Sequence, residues 1–298
     1  MMEAERIRYL NAEDLREIPA RKADANKGTY GHVLVVGGSL GMSGAAYFAS
    51  LGAYRTGAGL VQILTPACNR EILQIQIPEA IVSGYNPEEI NGDRDAWTER
   101  LSALMNWSTA VILGPGLGKE AYVRTLVEDV MQSAFVPIVM DADALNAAAQ
   151  YPYLTGFYTE NIIITPHIGE MARLTGKSTG EIAERTVETA TEYRDTYGIT
   201  CLLKSDRSVT AAVDGPVYVT QSGTPALAKG GTGDVLTGVI AGLLCLGFDL
   251  GQAAAYGSFL HGLAGRRAAE KTSAHGVLAR EVADALPEVM RMVPGVSF

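Results

Sequence analysis

The sequence predicts an α/β protein with three layers, α/β/α, around a mostly parallel central sheet. The first observation is that short apolar runs alternate with helical segments from Val33 to Val213, without a break in composition. The second is that many of the 33 glycines follow those runs, as turns at the ligand-binding edge of such a sheet do. Since no repeat, low-complexity tract or linker interrupts the pattern, residues 1–298 are predicted to form a single domain.

The individual elements follow from periodicity and from glycine, proline and helix-cap signals. A short helical extension over residues 1–26 opens the chain, with a helix that Pro19 ends. The predicted strands are residues 32–36, 60–65, 80–83, 110–113, 136–140, 161–165 and 200–204, then a hairpin of 209–213 and 217–220. The predicted helices are residues 10–18, 43–55, 92–106, 178–197, 235–248, 253–269 and 277–292.

The bulk composition limits the classes of function. A net charge of −9 and a sequence pI near 5.0 argue against a general binder of nucleic acid or anionic membranes. The longest apolar stretch, residues 235–248, is shorter than the roughly 20 residues that span a bilayer, and the charged residues 1–6 do not suit a signal peptide. Cys68, Cys201 and Cys245 lie far apart, which indicates reduced thiols and a cytoplasmic location.

Residues 224–236 are the most informative stretch of the chain. Gly230, Gly231 and Gly233 precede a long apolar helix, and the first N–H groups of a helix lack intrahelical partners and carry the positive end of its dipole. Such a terminus suits a transferring phosphoryl group, and Asp234 suits a base that takes a proton from a hydroxyl. The alternative is a glycine turn in which Asp234 is an ordinary helix cap.

Other polar side chains follow predicted strands, where open α/β sheets bind their ligands. Asp141 and Asp143 suit a polar substrate or a metal-water site, with a surface helix cap as the alternative. His167 and Glu170 suit the orientation of a substrate or of metal-bound water, unless they only begin a helix. Lys204 ends a third strand, where its ammonium either meets phosphate or is simply exposed.

A competing interpretation comes from three small residues after another predicted strand. Gly116, Gly118 and Ala121 match the GxGxxA form of the dinucleotide-binding fingerprint, and Asp141 corresponds to its ribose-binding acid. This arrangement predicts a Rossmann oxidoreductase. Pro115 departs from the fingerprint, because it removes an N–H group that a pyrophosphate needs.

Six groups of motifs occur in a fixed order along the chain. They are KGTYGH at 27–32, GGS at 37–39 with MSGAA at 42–46, GPGLG at 114–118, DADAL at 141–145, TPHIGE at 165–170 and AKGGTGD at 228–234. Together they resemble the ADP/ATP-dependent NAD(P)H-hydrate dehydratases, a branch of the ribokinase-like superfamily. The resemblance covers nearly the whole chain and implies a ribokinase-like fold. The family often carries this domain fused behind an epimerase domain. Because 298 residues leave no room for that domain, the resemblance implies a stand-alone form.

The resemblance implies a lyase that repairs a damaged cofactor. The family dehydrates (6S)-hydrated NADH and NADPH by phosphorylating the ring hydroxyl and then eliminating phosphate. The expected co-substrate is ADP, which yields AMP and phosphate, with ATP as the other possibility and Mg²⁺ as the metal. Asp234 is the expected catalytic base.

The same resemblance assigns roles to individual positions. The expected substrate contacts are Ala46, Gly116, His167 and Asp234. The expected nucleotide contacts are Lys204, Ser205, Asp206, Arg207, Ser208 and Gly233. The phosphoryl group is expected to be held by Gly231, Thr232 and Gly233. Glu170 is expected to bind the metal through water. The sequence departs from the family at Ser205 and Asp206, which follow Lys204 where glycine is usual, and at Thr224, where asparagine is frequent.

Partners and alternatives complete the expectations. A separate NAD(P)H-hydrate epimerase chain is the expected functional partner, and the Ala- and Gly-rich C-terminal helices are expected to pack in a homotetramer. His261 lies in an apolar pattern and is interpreted as a packing residue. The alternative within the fold is a kinase for a small vitamin alcohol, which shares the Gly-Gly-Thr-Gly-Asp arrangement.

Overall fold

A computed structural model of the chain describes residues 7–292. Ten strands of this part form one sheet in the order β1-β10-β9-β8-β7-β6-β5-β2-β3-β4. The strands are β1 (Ile7–Tyr9), β2 (His32–Val36), β3 (Leu60–Pro66), β4 (Ile81–Tyr85), β5 (Ala110–Leu113), β6 (Ile138–Met140), β7 (Ile162–Ile164), β8 (Thr200–Leu203), β9 (Val209–Ala211) and β10 (Val217–Val219). The charged residues 1–6, which argue against a signal peptide, lie outside the described part.

The mostly parallel sheet is confirmed. Strand β9 runs antiparallel to both of its neighbours, β8 and β10, as the predicted hairpin requires, and all other neighbouring strands pair in parallel. The carboxyl ends of β8, β7, β6, β5 and β2 therefore meet side by side at one edge. That edge is where a sheet of this class binds its ligands.

Helices cover both faces of the sheet, which confirms the three-layer arrangement. They are α1 (Ser43–Thr56), α2 (Arg70–Gln76), α3 (Pro87–Asn91), α4 (Arg94–Trp107), α5 (Ala121–Ser133), α6 (Asp143–Gln150), α7 (Ile168–Thr175), α8 (Thr179–Glu184), α9 (Thr186–Tyr197), α10 (Thr232–Cys245), α11 (Leu250–Lys271) and α12 (Ala279–Met292). Along β2, Val33 and Val35 face one apolar core, with α1, α10, α11 and α12. Leu34 and Val36 face the other, with α4, α5 and α9, because successive strand side chains point to opposite faces.

The expected N-terminal helix is wrong. Residues 7–9 instead form β1, which pairs with β10, and the Leu10 N–H group continues this pairing by donating to the Val219 carbonyl oxygen at 3.1 Å. Within the expected helix over residues 10–18 only one 3-10 turn forms, at Asp14–Glu17, because the Asp14 carboxylate accepts the Asn11 N–H group at 2.8 Å and so favours a local turn. Pairing with the sheet edge decides the structure of this segment over its helical pattern.

The expected helix over residues 178–197 is divided into α8 and α9. Ser178 begins α8 with a capping box, and Arg185 then leaves the helical region at φ −132°. Each of the two helices buries its own apolar side chain, Ile182 in α8 and Tyr193 in α9. Sequence periodicity did not reveal the break, because no proline or glycine marks it.

Helices α1 and α10 cross at van der Waals contact through small residues. A Cβ atom added to Gly238 would lie 2.1 Å from the Ala49 carbonyl oxygen, and one added to Gly52 would lie 2.4 Å from the Val235 carbonyl oxygen. No real side chain fits at either place. This crossing fixes the N-terminus of α10, and with it the glycine stretch, over the ligand-binding edge of the sheet.

No helix within residues 7–292 combines the length and the apolar composition needed to cross a membrane. The most apolar long helix, α10, has 14 residues, 12 of which are buried against neighbouring elements.

Candidate active site

A buried ion pair lies at the centre of the ligand-binding edge. Asp141 follows β6 and Lys204 follows β8, and the Lys204 Nζ atom donates to Asp141 Oδ1 at 2.7 Å and lies 3.9 Å from Glu170 Oε2. Burial alone lowers the pKa of Lys204, but the charges of Asp141 and Glu170 outweigh it and raise that pKa. The lysine is therefore a fixed positive charge, and sequence reasoning placed it at the edge without predicting its partner.

The backbone at the end of β6 is unusual. Ala142 has a φ of 49°, and it is the only non-glycine among residues 7–292 with a positive φ. Such a conformation costs of order 1–3 kcal/mol and often marks functional sites. Here it lets Asp141 turn toward Lys204 while Asp143 begins α6 and accepts the Gly118 N–H group at 2.8 Å.

His167 and Glu170 form a capping box at the start of α7. The Glu170 carboxylate accepts the His167 N–H group at 2.8 Å, and His167 Nδ1 accepts the N–H groups of Gly169 and Glu170 at 2.9 and 3.2 Å. Burial, Lys204 and Arg173 lower the pKa of His167, so its ring is neutral at pH 7 and its proton lies on Nε2. Burial also raises the pKa of Glu170. His167 and Glu170 thus do begin a helix, as the alternative interpretation predicted. This arrangement leaves Nε2–H as the only donor of the His167 ring.

Helix α10 begins without a side-chain cap. Gly231 is its N-cap residue with a φ of 91°, so the terminus has no side chain to satisfy its first N–H groups. Gly233 lies against the ion pair, because a Cβ atom added to it would be 3.6 Å from Asp141 Oδ2 and 3.7 Å from Lys204 Nζ. The Thr232 hydroxyl donates to the carbonyl oxygens of Leu227 and Lys229 and closes the turn. The bare terminus therefore presents amides beside a lysine.

Asp234 completes this terminus. Burial, and then the nearby charge of Asp141, raise the pKa of Asp234 from 3.8 to about 7, although Lys204 acts in the opposite direction. A carboxyl group with this pKa is suited to general base catalysis near neutral pH. The backbone oxygen of Asp234 accepts the Thr237 hydroxyl at 2.7 Å, and α10 has no side-chain cap hydrogen bond, so the Asp234 carboxylate is not used as a cap.

The two glycine loops before α1 and α5 form the adjoining wall. The Gly38 N–H group donates to the Pro115 carbonyl oxygen at 2.7 Å, which joins the two loops. Gly116 adopts a φ of 62°, and a Cβ atom there would lie 2.7 Å from the Ala45 Cβ atom. Ala46 is fully buried behind Gly38. The structure thus places Ala46 and Gly116 near each other, and their substrate contacts stay predictions.

A cleft of about 650 Å³ opens beside the ion pair, and we call it the Lys204 cleft. It is lined by His167, Lys204, Ser205, Asp206, Ser208, Thr220, Gly223, Thr224, Pro225, Leu227, Ala228, Lys229, Thr232, Gly233, Leu236, Ser258, His261 and Gly262. Five of the six expected nucleotide contacts line it. Arg207 does not, because the turn after β8, closed by the Ser208 hydroxyl, turns it outward.

The cleft also contains a residue to which the sequence assigned only packing. His261 is buried, and burial lowers its pKa to about 4, so the ring is neutral. It lines the Lys204 cleft in addition to packing in α11. Its position within an apolar helix gave no sequence signal for that contact.

The Rossmann alternative does not agree with the geometry of the Gly114–Gly118 turn. The Gly118 N–H group, which a pyrophosphate needs, is already bonded to the Asp143 carboxylate. The Pro115 carbonyl oxygen is likewise bonded to Gly38. The turn therefore holds two loops and α6 together rather than presenting free amides to a dinucleotide.

The charge pattern fits a magnesium ion held largely by a ligand. Residues 7–292 contain no group of three His, Cys, Asp or Glu side chains that could hold a metal ion. One Glu170 oxygen accepts the His167 backbone N–H group at 2.8 Å, and the other lies 3.4 Å from His167 Nε2, which favours contact with an ion through water. This fits Mg²⁺, which keeps several waters and binds through few carboxylates together with substrate phosphates.

The fold and site place the chain in the ribokinase-like class of α/β proteins, which confirms the expected fold. Residues 33–288 match the Carb_kinase model, described as NAD(P)H-hydrate dehydratase. The chain belongs to the NAD(P)H-hydrate dehydratase family.

Individual relatives agree with this assignment. The chain is 36% identical to the ADP-dependent (S)-NAD(P)H-hydrate dehydratase of Bacillus subtilis, over 92% of this chain and 94% of that protein. Over 92% of its own length, the chain is 41% identical to the bifunctional NAD(P)H-hydrate repair enzyme Nnr of Moorella thermoacetica. It spans only 52% of that protein. A crystal structure of the Bacillus subtilis ADP/ATP-dependent enzyme, co-crystallised with ATP and Mg²⁺, superposes with a TM-score of 0.84 at 34% identity. That match covers 97% of this chain and all of the crystallised one.

Proposed function

We propose that the chain dehydrates (6S)-hydrated NADH and NADPH to NADH and NADPH, using ADP and releasing AMP and phosphate. The observation that carries the proposal is the bare N-terminus of α10, where Thr232 and Gly233 line the Lys204 cleft and the Asp234 carboxyl lies within electrostatic reach of Lys204. The activities of the relatives support the substrate and the nucleotide. The chain would then be a carbon–oxygen lyase of one domain.

The first step is phosphoryl transfer from the nucleotide, and it requires donors that hold the phosphate as it moves. The Lys204 cleft receives the nucleotide, with the amides of Gly231, Thr232 and Gly233 and the Lys204 ammonium facing the phosphate that moves. Preorganised donors of this kind stabilise the charge that develops in transfer, and removing one typically costs about 3 kcal/mol of barrier. Mg²⁺, held by phosphate oxygens and through water by Glu170, would neutralise further charge.

The second requirement is a base for the ring hydroxyl. As the hydroxyl oxygen bonds to the β-phosphorus of ADP, the bond from that phosphorus to AMP breaks and Asp234 takes the hydroxyl proton. The substrate ring would lie between Asp234, His167 and the wall that contains Ala46 and Gly116. His167 Nε2–H is the ring's donor there, shared between Glu170 Oε1 at 3.4 Å and the substrate, because Nδ1 accepts backbone N–H groups.

Elimination then restores the cofactor. The lone pair of the ring nitrogen expels phosphate as the carbon–oxygen bond breaks, and the neighbouring ring carbon loses a proton. The result is the reduced nicotinamide. The protein's contribution to this step is positioning and charge neutralisation, because the ring supplies the electrons.

Partners and assembly extend the proposal. Hydration of a trigonal ring carbon gives both epimers, so an enzyme for the S epimer works with an epimerase, proposed to lie on another chain. Three free thiols support a cytoplasmic location. The small residues of α11 are buried within the chain, so they do not support a homotetramer. Exposed Ile72 and Ile75 on α2 and Ile81 on the edge strand β4 support that assembly instead.

Recovery of reduced-nicotinamide absorbance tests the proposed function. Purified protein is mixed with hydrated NADH, Mg²⁺ and either ADP or ATP, and absorbance and free phosphate are followed together. We expect recovery with ADP, with one phosphate released per NADH. No recovery with either nucleotide would refute the proposal, and a phosphorylated product that accumulates would indicate a kinase instead.

A further inference from the structure

A second cleft lies along α5 and α6 and shares no lining residue with the Lys204 cleft. It encloses about 530 Å³ and is formed by the loop before α5, by α5 and α6, and by Arg173 of α7. We call it the Arg124 cleft. It begins at Gly118 and Asp143, the two residues whose hydrogen bond closes the wall of the proposed active site.

Three cations line the Arg124 cleft, in a chain whose net charge is −9. Lys119, Arg124 and Arg173 have no carboxylate within ion-pair distance among the described residues, whereas many other arginines of the chain are paired. Each unpaired guanidinium retains N–H donors in a planar fork, the geometry that matches phosphate. Glu120 and Asp143 also line the cleft, but Asp143 already accepts from Gly118 and Asn146, so the three cations exceed the two carboxylates and the cleft is a local site for an anion.

The cations are held in place by neutral neighbours rather than by acids. The Arg173 Nε atom donates to Asn146 Oδ1 at 3.0 Å, and Asn146 in turn donates to Asp143 at 3.2 Å. The Arg124 guanidinium lies 5.6 Å from the centre of the Tyr151 ring. This stack gives the cleft a flat platform of the kind on which a nucleobase packs.

The Arg124 cleft adjoins the proposed active site. Asp143 lines the cleft, where its carboxylate joins Gly118 to Asn146, and it lies two residues after Asp141 of the ion pair. Arg173 approaches the start of α7, where its Nη1 atom is 3.9 Å from the position that a Gly169 Cβ atom would take. A molecule whose ring lies at His167 can therefore extend into this cleft.

The proposed reaction needs two nucleotides bound at once. The Lys204 cleft receives the one that donates phosphate, so the dinucleotide substrate must leave the reacting centre in another direction. We propose that the Arg124 cleft binds the adenosine-diphosphate half of the hydrated dinucleotide, with Arg124 and Arg173 on its phosphates and the adenine on the Arg124–Tyr151 platform. This inference rests on the proposed function and names the part of the substrate that the site recognises.

Substitution of either arginine separates this role from catalysis. We expect Arg124→Ala and Arg173→Ala to raise KM for hydrated NADH about tenfold or more, with KM for ADP within about twofold of wild type. For Arg124→Ala, whose position lies away from His167, kcat should also stay within about twofold. Hydrated NADPH carries an additional 2′-phosphate. If KM increases more for hydrated NADPH than for hydrated NADH, the substituted arginine contacts the 2′-phosphate. If KM increases equally for both, the arginine contacts the diphosphate. The hydrated form of reduced nicotinamide mononucleotide lacks the adenosine half, and its KM should not change.

A control variant removes the same charge elsewhere. Arg185 is exposed between α8 and α9 and lines neither cleft, so Arg185→Ala should leave every constant unchanged. If the alanine variants do not fold, raised ionic strength on the wild type gives the same comparison, because it should increase KM for the dinucleotide more than for the mononucleotide.

Two results would overturn the inference without touching the proposed function. One is a wild type that turns over hydrated NADH while Arg124→Ala and Arg173→Ala leave its KM unchanged. The other is an equal rise of KM for the dinucleotide and for the mononucleotide substrate. A wild type without any turnover refutes the proposed function, and the inference falls with it.

Discussion

Asp234→Asn should abolish dehydration while making the folded protein more stable at pH 8. A positioned general base typically contributes 10²–10⁴-fold to the rate, so we expect kcat to fall by about 10³-fold. The stability change follows from the pKa of Asp234, which burial and Asp141 raise from 3.8 to about 7. The folded state holds this proton more tightly than the unfolded state, so wild-type stability falls as pH rises from about 4 to about 7. Asparagine cannot ionise and avoids that loss.

The measurement is thermal unfolding at two pH values together with turnover. We expect the variant to be more stable by about 1–3 kcal/mol at pH 8, and by less at pH 5, where the wild-type carboxyl is protonated when folded. Asp214→Asn is the matched control, because Asp214 lies exposed in the turn between β9 and β10. That variant should change neither quantity. An Asp234→Asn protein that retains turnover contradicts the base role.

Gly238→Ala should separate α1 from α10 and disable the enzyme through its fold. The new Cβ atom would lie 2.1 Å from the Ala49 carbonyl oxygen and 2.6 Å from the Ala53 backbone nitrogen, so rigid backbone must move. Overpacking usually costs 1–3 kcal/mol, and contact with several backbone atoms of α1 places this variant at about 3 kcal/mol or more. Because α10 carries Gly233 and Asp234, the displacement should also reduce turnover.

Urea unfolding measures this loss against a glycine in open space. Gly180 lies near the start of α8, and a Cβ atom there would meet nothing closer than the Ser178 hydroxyl at 3.9 Å. Gly180→Ala should therefore be neutral or stabilise by up to about 1 kcal/mol through helix propensity. If Gly238→Ala is as stable as Gly180→Ala, the α1–α10 contact does not position the site.

The sequence predicts strands β2 to β10 of the central sheet but not its edge strand β1. Strands from β2 to β10 have distinct apolar runs, because buried parallel strands are apolar on both faces. Strand β1 has no such run, and it forms because the open edge of β10 supplies a partner for residues 7–9. Pairing across more than 200 residues leaves no local signal in the sequence.

The same distinction applies to the site. The strand-end rule places Asp141, His167 and Lys204 at one edge, and the structure brings them together there. The rule does not give the pairing of Lys204 with Asp141, which depends on the positive φ of Ala142. It also does not reveal Arg124, whose helical surface position resembles that of any solvated arginine. These features depend on tertiary distances rather than on local pattern.

The pH dependence of kcat/KM for hydrated NADH, at saturating ADP and Mg²⁺, tests the central role of Asp234 most directly. We expect kcat/KM to rise about tenfold per pH unit below pH 7 and to level off above it, since the base must be ionised. The residual activity of Asp234→Asn should lack this limb. A wild-type profile that is flat between pH 5.5 and pH 8.5, or a limb that persists in Asp234→Asn, would contradict the assignment of Asp234 as the base.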